Sequence, residues 1–150
     1  MEKRESARAI IFRRGQIVVM YREKSDRVYF TFPGGGRQEG ESLENCVKRE
    51  VYEEFGITVE PIREVYFYEG ETTLQHFFLC EWTDGDIGTG DGEEFLGDSS
   101  RGIYIPMRVD IERLTKIPLM PPEVTKALSN DIKTFGEKLG EFKTIKAENV

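Results

Sequence analysis

The chain has 150 residues, with 28 acidic against 21 basic side chains and a formal charge of −7. At that length a single hydrophobic core is expected, with no second catalytic module in these residues. The charge argues against a nucleic-acid backbone or an anionic membrane as the main partner, because both are held by clustered Lys and Arg. A polyanionic ligand would need a cation as intermediary.

The opening residues, Met1 to Ile10, are charged and hold no apolar run of signal-peptide length. The longest later run, Ile17 to Tyr21, is too short to span a bilayer. A cytoplasmic protein is expected. Cys46 and Cys80 lack the close spacing of a zinc or redox pair and are read as buried thiols.

In chain order, Ala7 to Phe12 and Gln16 to Tyr21 are β-rich runs flanking Arg13-Arg14-Gly15, a hairpin pattern. Val28 to Phe32 predicts a third strand, stopped by a sharp bend at Pro33-Gly34-Gly35-Gly36. From Ser42 to Phe55 the period becomes helical, with Leu43, Val47, Val51 and Phe55 four residues apart, Ser42 as N-cap and Gly56 as stop. Strands follow at Ile62 to Tyr68 and Leu74 to Trp82, turning near Gly70. Thr83 to Glu94, rich in Gly and Asp, reads as a long functional loop. Gly102 to Ile105 predicts a last strand, and Pro121-Pro122 open a second helix running to about Leu139. Residues 1–140 are expected to form one domain, with 141–150 a frayed tail.

On a wheel of about 100° per residue, Glu50, Glu53 and Glu54 share one sector, beside the sector of Val47, Val51 and Phe55. One stripe therefore buries while three carboxylates stand at its rim. Like charges at these spacings destabilise a helix by about 0.2–0.5 kcal/mol per pair. Arg49 reaches Glu53 four residues on, yet one guanidinium cannot neutralise three carboxylates plus Glu39 and Glu41. Two readings fit the helix alone: a solvated acidic face, or a divalent-cation site. An all-oxygen donor set suits Mg²⁺ or Mn²⁺ rather than zinc.

Residue order separates the two. Gly35, five residues, Glu41, seven residues, then Arg49-Glu50-Val51-Tyr52-Glu53-Glu54-Phe55-Gly56-Ile57 matches nine specified positions over 23 residues. This resembles the signature of the Nudix (MutT-like) hydrolases, and the Pro33-Gly34-Gly35 approach matches as well. The resemblance implies an α/β fold, an α/β/α sandwich with a mixed sheet between helices. It implies a Mg²⁺-dependent pyrophosphohydrolase acting on a small nucleotide-type substrate. Glu50, Glu53 and Glu54 would ligate the metal, with a backbone carbonyl at Gly34 or Gly35. Arg49 would orient Glu53, Glu41 would tie the loop to the helix, and Gly56 would close it. The general base would be a box glutamate or an acid on a later loop, for which Glu93 and Glu94 are candidates unless they are ordinary surface charges. Many relatives dimerise, so a homodimer fits the resemblance.

Outside the box, Arg22 and Arg37 are candidate phosphate contacts or ordinary surface arginines. His76 is expected in the core or a pocket wall, on one face with Phe78, Cys80 and Trp82. Tyr66, Tyr68 and Trp82 are sheet-packing aromatics or base-stacking candidates. No Gly-Lys-Ser/Thr follows Pro33 to Gly36, which excludes a P-loop. Gly88 and Phe95 stand where an EF-hand needs an oxygen ligand and a Glu. Thr73 lies 16 residues past the box, where ADP-ribose hydrolases carry proline, and Leu74 and Gln75 follow, where diadenosine polyphosphate hydrolases carry tyrosine. The markers of NADH and coenzyme A pyrophosphatases are absent too. A nucleotide-sugar pyrophosphatase and a non-hydrolytic nucleotide sensor are the competing readings.

Overall fold

The computed structural model describes residues 2–87 and 102–148. Strands β1 (Arg4–Arg13) and β2 (Gln16–Lys24) form the expected hairpin. Arg14 and Gly15 turn it in the left-handed region, at φ 52° and 77°. The pair holds register only at Phe12↔Ile17 and Arg13↔Gln16. Beyond those residues the strands part. β1 then runs parallel to β6 (Thr73–Asp84), while β2 lies antiparallel to both β3 (Arg27–Thr31) and β7 (Ile103–Asp110).

The sheet order is β8-β3-β2-β1-β6-β5-β9, with β4 added on β1 and β7 on β2. Here β4 is Gly34–Gly36, β5 is Thr58–Glu69, β8 is Leu119–Met120 and β9 is Lys143–Lys146. Helix α1 (Leu43–Phe55) covers one face and α2 (Pro122–Phe135) the other. Strand alternation sorts the core accordingly. Ala7, Ala9 and Ile11 of β1 pack with Val47, Val51 and Phe55 of α1. Ile10 faces the opposite way, into a cluster with Phe77 and with Val124 and Leu128 of α2. Burying each larger side chain contributes about 1.5–3 kcal/mol. The arrangement is the expected α/β/α sandwich around a mixed sheet.

Five features differ from expectation, four of them for a reason of tertiary pairing. The Pro33 to Gly36 bend is a strand, β4, pairing antiparallel with β1 at Ser6↔Gly36, Ala7↔Gly35 and Arg8↔Gly34. The tail after Gly140 is not frayed: Lys143 to Lys146 pair in parallel with Tyr66 to Glu69. β5 starts before Pro61, which is tolerated because β9 pairs only with the far half of that strand and the β5–β6 register shifts beside Pro61. β7 continues through Pro106 because it pairs with β2 alone. α2 ends at Phe135 rather than near Leu139, where Gly136 turns at φ 72°.

Candidate functional site

Helix α1 starts where Ser42 accepts a hydrogen bond from the Asn45 amide at 3.1 Å, and it stops at Gly56 in the left-handed region. Its buried stripe of Cys46, Val47, Val51 and Phe55 fixes the rotation of the helix on the sheet. That rotation sets Glu50 and Glu54 at the rim against β4, with Glu53 exposed beside them. Arg49 offsets their repulsion. Its Nε and Nη2 donate to the two oxygens of Glu41 at 2.7 and 3.0 Å. Its Nη1 donates to Glu50 at 3.0 Å and to Glu53 at 3.3 Å, and Nη2 also reaches the Gly36 carbonyl at 3.2 Å. One planar guanidinium thereby joins the loop, the glycine strand and the helix. The Arg49 hydrogen bonds, followed by the Gln38 amide, hold the Glu41 carboxyl down at about 2. In return Glu41 raises the Arg49 pKa.

The glycines of β4 allow this approach. A Cβ on Gly35 would lie 2.6 Å from the Glu50 Cδ and 2.7–2.8 Å from its two oxygens. A Cβ on Gly34, at φ 140°, would collide with the Ala7 carbonyl. The Gly34 amide donates to Glu54 Oε1 at 3.1 Å, and its carbonyl accepts from Arg8 Nη1 at 3.0 Å. The absent side chains thus make the space in which the box carboxylates meet the backbone.

This donor set suits a hard divalent cation: carboxylate and carbonyl oxygens, with no imidazole or thiolate among them. Gly35 cradles the Glu50 carboxylate in space that any side chain would fill. Among the described residues no three acidic, His or Cys groups already converge tightly enough to grip an ion. Glu50 and Glu53 are drawn to Arg49, and Glu54 to the Gly34 amide. Binding a cation would exchange those contacts for ion contacts.

Arg8, which the sequence reading passed over, stands on the other side of Gly34. Its Nη1 also donates to the Phe32 carbonyl at 3.2 Å, while its buried Nε has no hydrogen-bond partner among the described residues. Burial lowers its pKa, opposed by the charges of Glu54 and Glu50, and it stays a cation at neutral pH. The signal was present in the sequence: a charge inside the otherwise apolar run Ala7 to Phe12 is costly unless it is used. Arg8 lines a cleft of about 550 Å³ together with Arg27, Tyr29, Phe32, Tyr68 and Gln75.

The other predicted candidates divide. Arg22 hydrogen-bonds the Tyr104 hydroxyl and lies 4.1 Å from the centre of its ring, and its Nε is likewise buried without a partner among the described residues. Arg37 turns away from the cleft, pairing with Glu5 at 2.6 Å and with the Glu41 carbonyl at 3.2 Å. Tyr68 lines the cleft. Tyr66 does not, for its hydroxyl donates to buried Asp131 at 2.6 Å. Trp82 is covered by Arg13, whose guanidinium sits 3.8 Å above the ring. His76 lies on the α1 face in a polar setting between Glu5 and Glu64. Both cysteines are buried and free, and burial pushes the Cys80 thiol up to about 12. Glu93, Glu94 and most of the Thr83 to Glu94 loop lie outside the described residues. Among those described, no helix is long and apolar enough to cross a membrane.

The fold is thus an α/β/α sandwich with an acidic helix set on a glycine strand. Within it the assignment is specific: residues 2–98 match the NUDIX domain model, and the chain belongs to that family. It is 34% identical over 84 residues to the 8-oxo-dGDP phosphatase NUDT18 of Danio rerio. That match covers 54% of this chain and 26% of the relative, so the chain spans about a quarter of that relative's length. In fold it is similar to a NUDIX hydrolase from Nitrosomonas europaea, with TM-score 0.75, 15% identity, and coverage of 98% of this chain and 80% of that one. It is also similar to an ADP-ribose pyrophosphatase from Streptococcus suis, with TM-score 0.67, 19% identity, and coverage of 96% and 98%.

Proposed function

We propose that this chain is a cytoplasmic, Mg²⁺-dependent hydrolase that cuts a phosphoanhydride bond in a nucleoside di- or triphosphate-type substrate. The observation that carries this reading is the Arg49 array, which holds Glu41, Glu50 and Glu53 together against a strand of glycines open to phosphate. Glu50, Glu53, Glu54 and a Gly34 or Gly35 carbonyl would hold Mg²⁺ or Mn²⁺. When bound, the cation supplies neutralisation of phosphate charge and a bound water of lowered pKa.

The chain's own residues would do the rest. Arg8 and Arg22 each keep a buried donor with no partner among the described residues, a state that suits guanidinium groups meeting phosphate oxygens. Tyr29, Phe32 and Tyr68 give the cleft the aromatic walls that a nucleoside needs. Glu53, Glu54 or Glu94 would take the proton of the attacking water. The name of the Danio rerio relative, an 8-oxo-dGDP phosphatase, supports a nucleotide substrate.

The test is a panel of nucleoside di- and triphosphates and nucleotide sugars, assayed with Mg²⁺ and with chelator, on wild type and on Glu53→Gln and Glu54→Gln. Turnover is expected only with metal, falling at least about 100-fold in each variant. Wild-type turnover in both variants would overturn the metal assignment. Nucleotide binding without hydrolysis in the wild type would replace the enzyme by a sensor.

A further inference from the structure

His76 of β6 sits between carboxylates from two neighbouring strands. Its Nδ1 is 2.8 Å from Glu64 of β5, and its Nε2 is 2.9 Å from Glu5 of β1. The Phe67 ring of β5 stacks beside it, with centroids 4.8 Å apart. An ionised carboxylate only accepts hydrogen bonds, and a neutral imidazole has one N–H. Both contacts are satisfied together when the ring is doubly protonated.

The contacts continue toward the box. Glu5 pairs through its other oxygen with Arg37 at 2.6 Å, and the Arg37 amide donates to the Glu5 carbonyl at 3.0 Å. Arg37 Nη1 donates to the Glu41 carbonyl at 3.2 Å, and the Glu41 side chain grips Arg49. Every link is a charge-assisted or backbone hydrogen bond. His76 is thereby joined to Glu50 and Glu53 without touching either.

We propose that His76 is a positioning residue: its imidazolium fixes Glu5, Glu5 fixes Arg37, and Arg37 fixes the loop whose Glu41 aligns Arg49 with the box carboxylates. The inference rests on the hydrolase reading for its consequence and on the geometry alone for the coupling. Burial by itself would lower the ring's pKa, but hydrogen bonds to Glu64 and then Glu5 outweigh it and raise the pKa above its ordinary value. A raised cation pKa places the clamp's contribution below the ordinary value, about 6.5, and removes it as pH rises through the folded value. Above that pH one carboxylate faces a bare nitrogen, and the ring no longer ties Glu5 to Glu64.

His76 is the chain's one histidine, so ¹³C-imidazole NMR reads this ring alone. Its midpoint is expected above about 6.5. The Gln38 amide donates to Glu41 at 3.1 Å, and Glu41 itself titrates near 2. That amide is therefore a clean reporter between pH 6 and 9, and its resonance should follow the ring's midpoint. In Arg37→Gln the ring should still titrate above 6.5 while the Gln38 amide no longer follows it. With Mn²⁺ as probe, wild-type affinity should weaken about twofold to fivefold across the midpoint, the size expected for partly exposed ion pairs. Affinity in Arg37→Gln and His76→Gln should be weaker and flat. A midpoint at or below 6.5, or a Gln38 amide indifferent to the ring, would overturn the proposal. A wild type that binds no Mn²⁺ while Gln38 still follows the ring would sink the hydrolase reading and leave the coupling standing.

Discussion

Gly35→Ala separates the catalytic from the structural work of the glycine strand. Gly35 lies outside the left-handed region, so alanine imposes no backbone strain there. The added carbon would meet the Glu50 carboxylate, at 2.6 Å from Cδ. Ordinary carbon contacts begin near 3.5–4.0 Å, so the carboxylate must withdraw by about 1 Å. A shift of that size costs about 100-fold in turnover where a reacting geometry depends on it. Folding should change little: alanine in place of glycine gains about 0.4–1 kcal/mol through the unfolded chain, and an off-rotamer Glu50 costs about 0.5–1.5 kcal/mol. The balance lies within about 1 kcal/mol, or about 2–4 °C in Tm for a chain of this length. The assay is thermal unfolding beside turnover and Mn²⁺ titration. Glu50→Asp in the same background withdraws the carboxylate by one carbon and should restore part of the metal affinity. The reasoning fails if Gly35→Ala keeps wild-type turnover, or if it unfolds tens of degrees early with no separate effect on metal binding.

Gly34→Ala should do the opposite. At φ 140° its new carbon meets the β1 backbone, so β4 detaches and Tm falls before any question of catalysis arises. The Glu41 carboxyl, held near 2 by Arg49, stabilises the fold above its ordinary pKa of about 4.3. That contribution is lost as pH falls from there toward 2. Acid unfolding of Arg49→Met should show a weaker pH dependence across that window. Tyr66→Phe leaves buried Asp131 with only Lys143, at 2.9 Å, of its two side-chain partners among the described residues. A loss of about 1–3 kcal/mol is expected, read by denaturant unfolding, with turnover unchanged. Truncation after Gly140 removes β9 and the Lys143 ion pair. A lowered Tm is expected, and an unaltered one would mean that the parallel pairing carries no stability.

Local order was enough for the parts of the site that one helix turn and one loop define. Ser42, the Val47-Val51-Phe55 stripe and Gly56 specify where α1 starts, faces and stops. The wheel then places Glu50, Glu53 and Glu54 at its rim whatever the rest of the chain does. The spacing of Gly35, Glu41 and Arg49 also carried the family, since the loop must be that length for Glu41 to reach Arg49.

Tertiary pairing decided the remainder. A tripeptide of glycines has no strand propensity, and Gly34 to Gly36 form one only because β1 supplies the ladder. Lys143 to Lys146 have no alternation to announce them and are ordered by the free edge of β5. Arg8 and His76 acquire their settings from residues 12 to 71 positions away. No window of sequence could show that one faces the glycine strand and the other joins two carboxylates. The chain's own order therefore determined which carboxylates share the rim of α1 and which loop faces them. Only the closing of β1 between β4 and β6 decided which other charges those carboxylates meet, because a strand's neighbours are set by long-range hydrogen bonds rather than by its own residues.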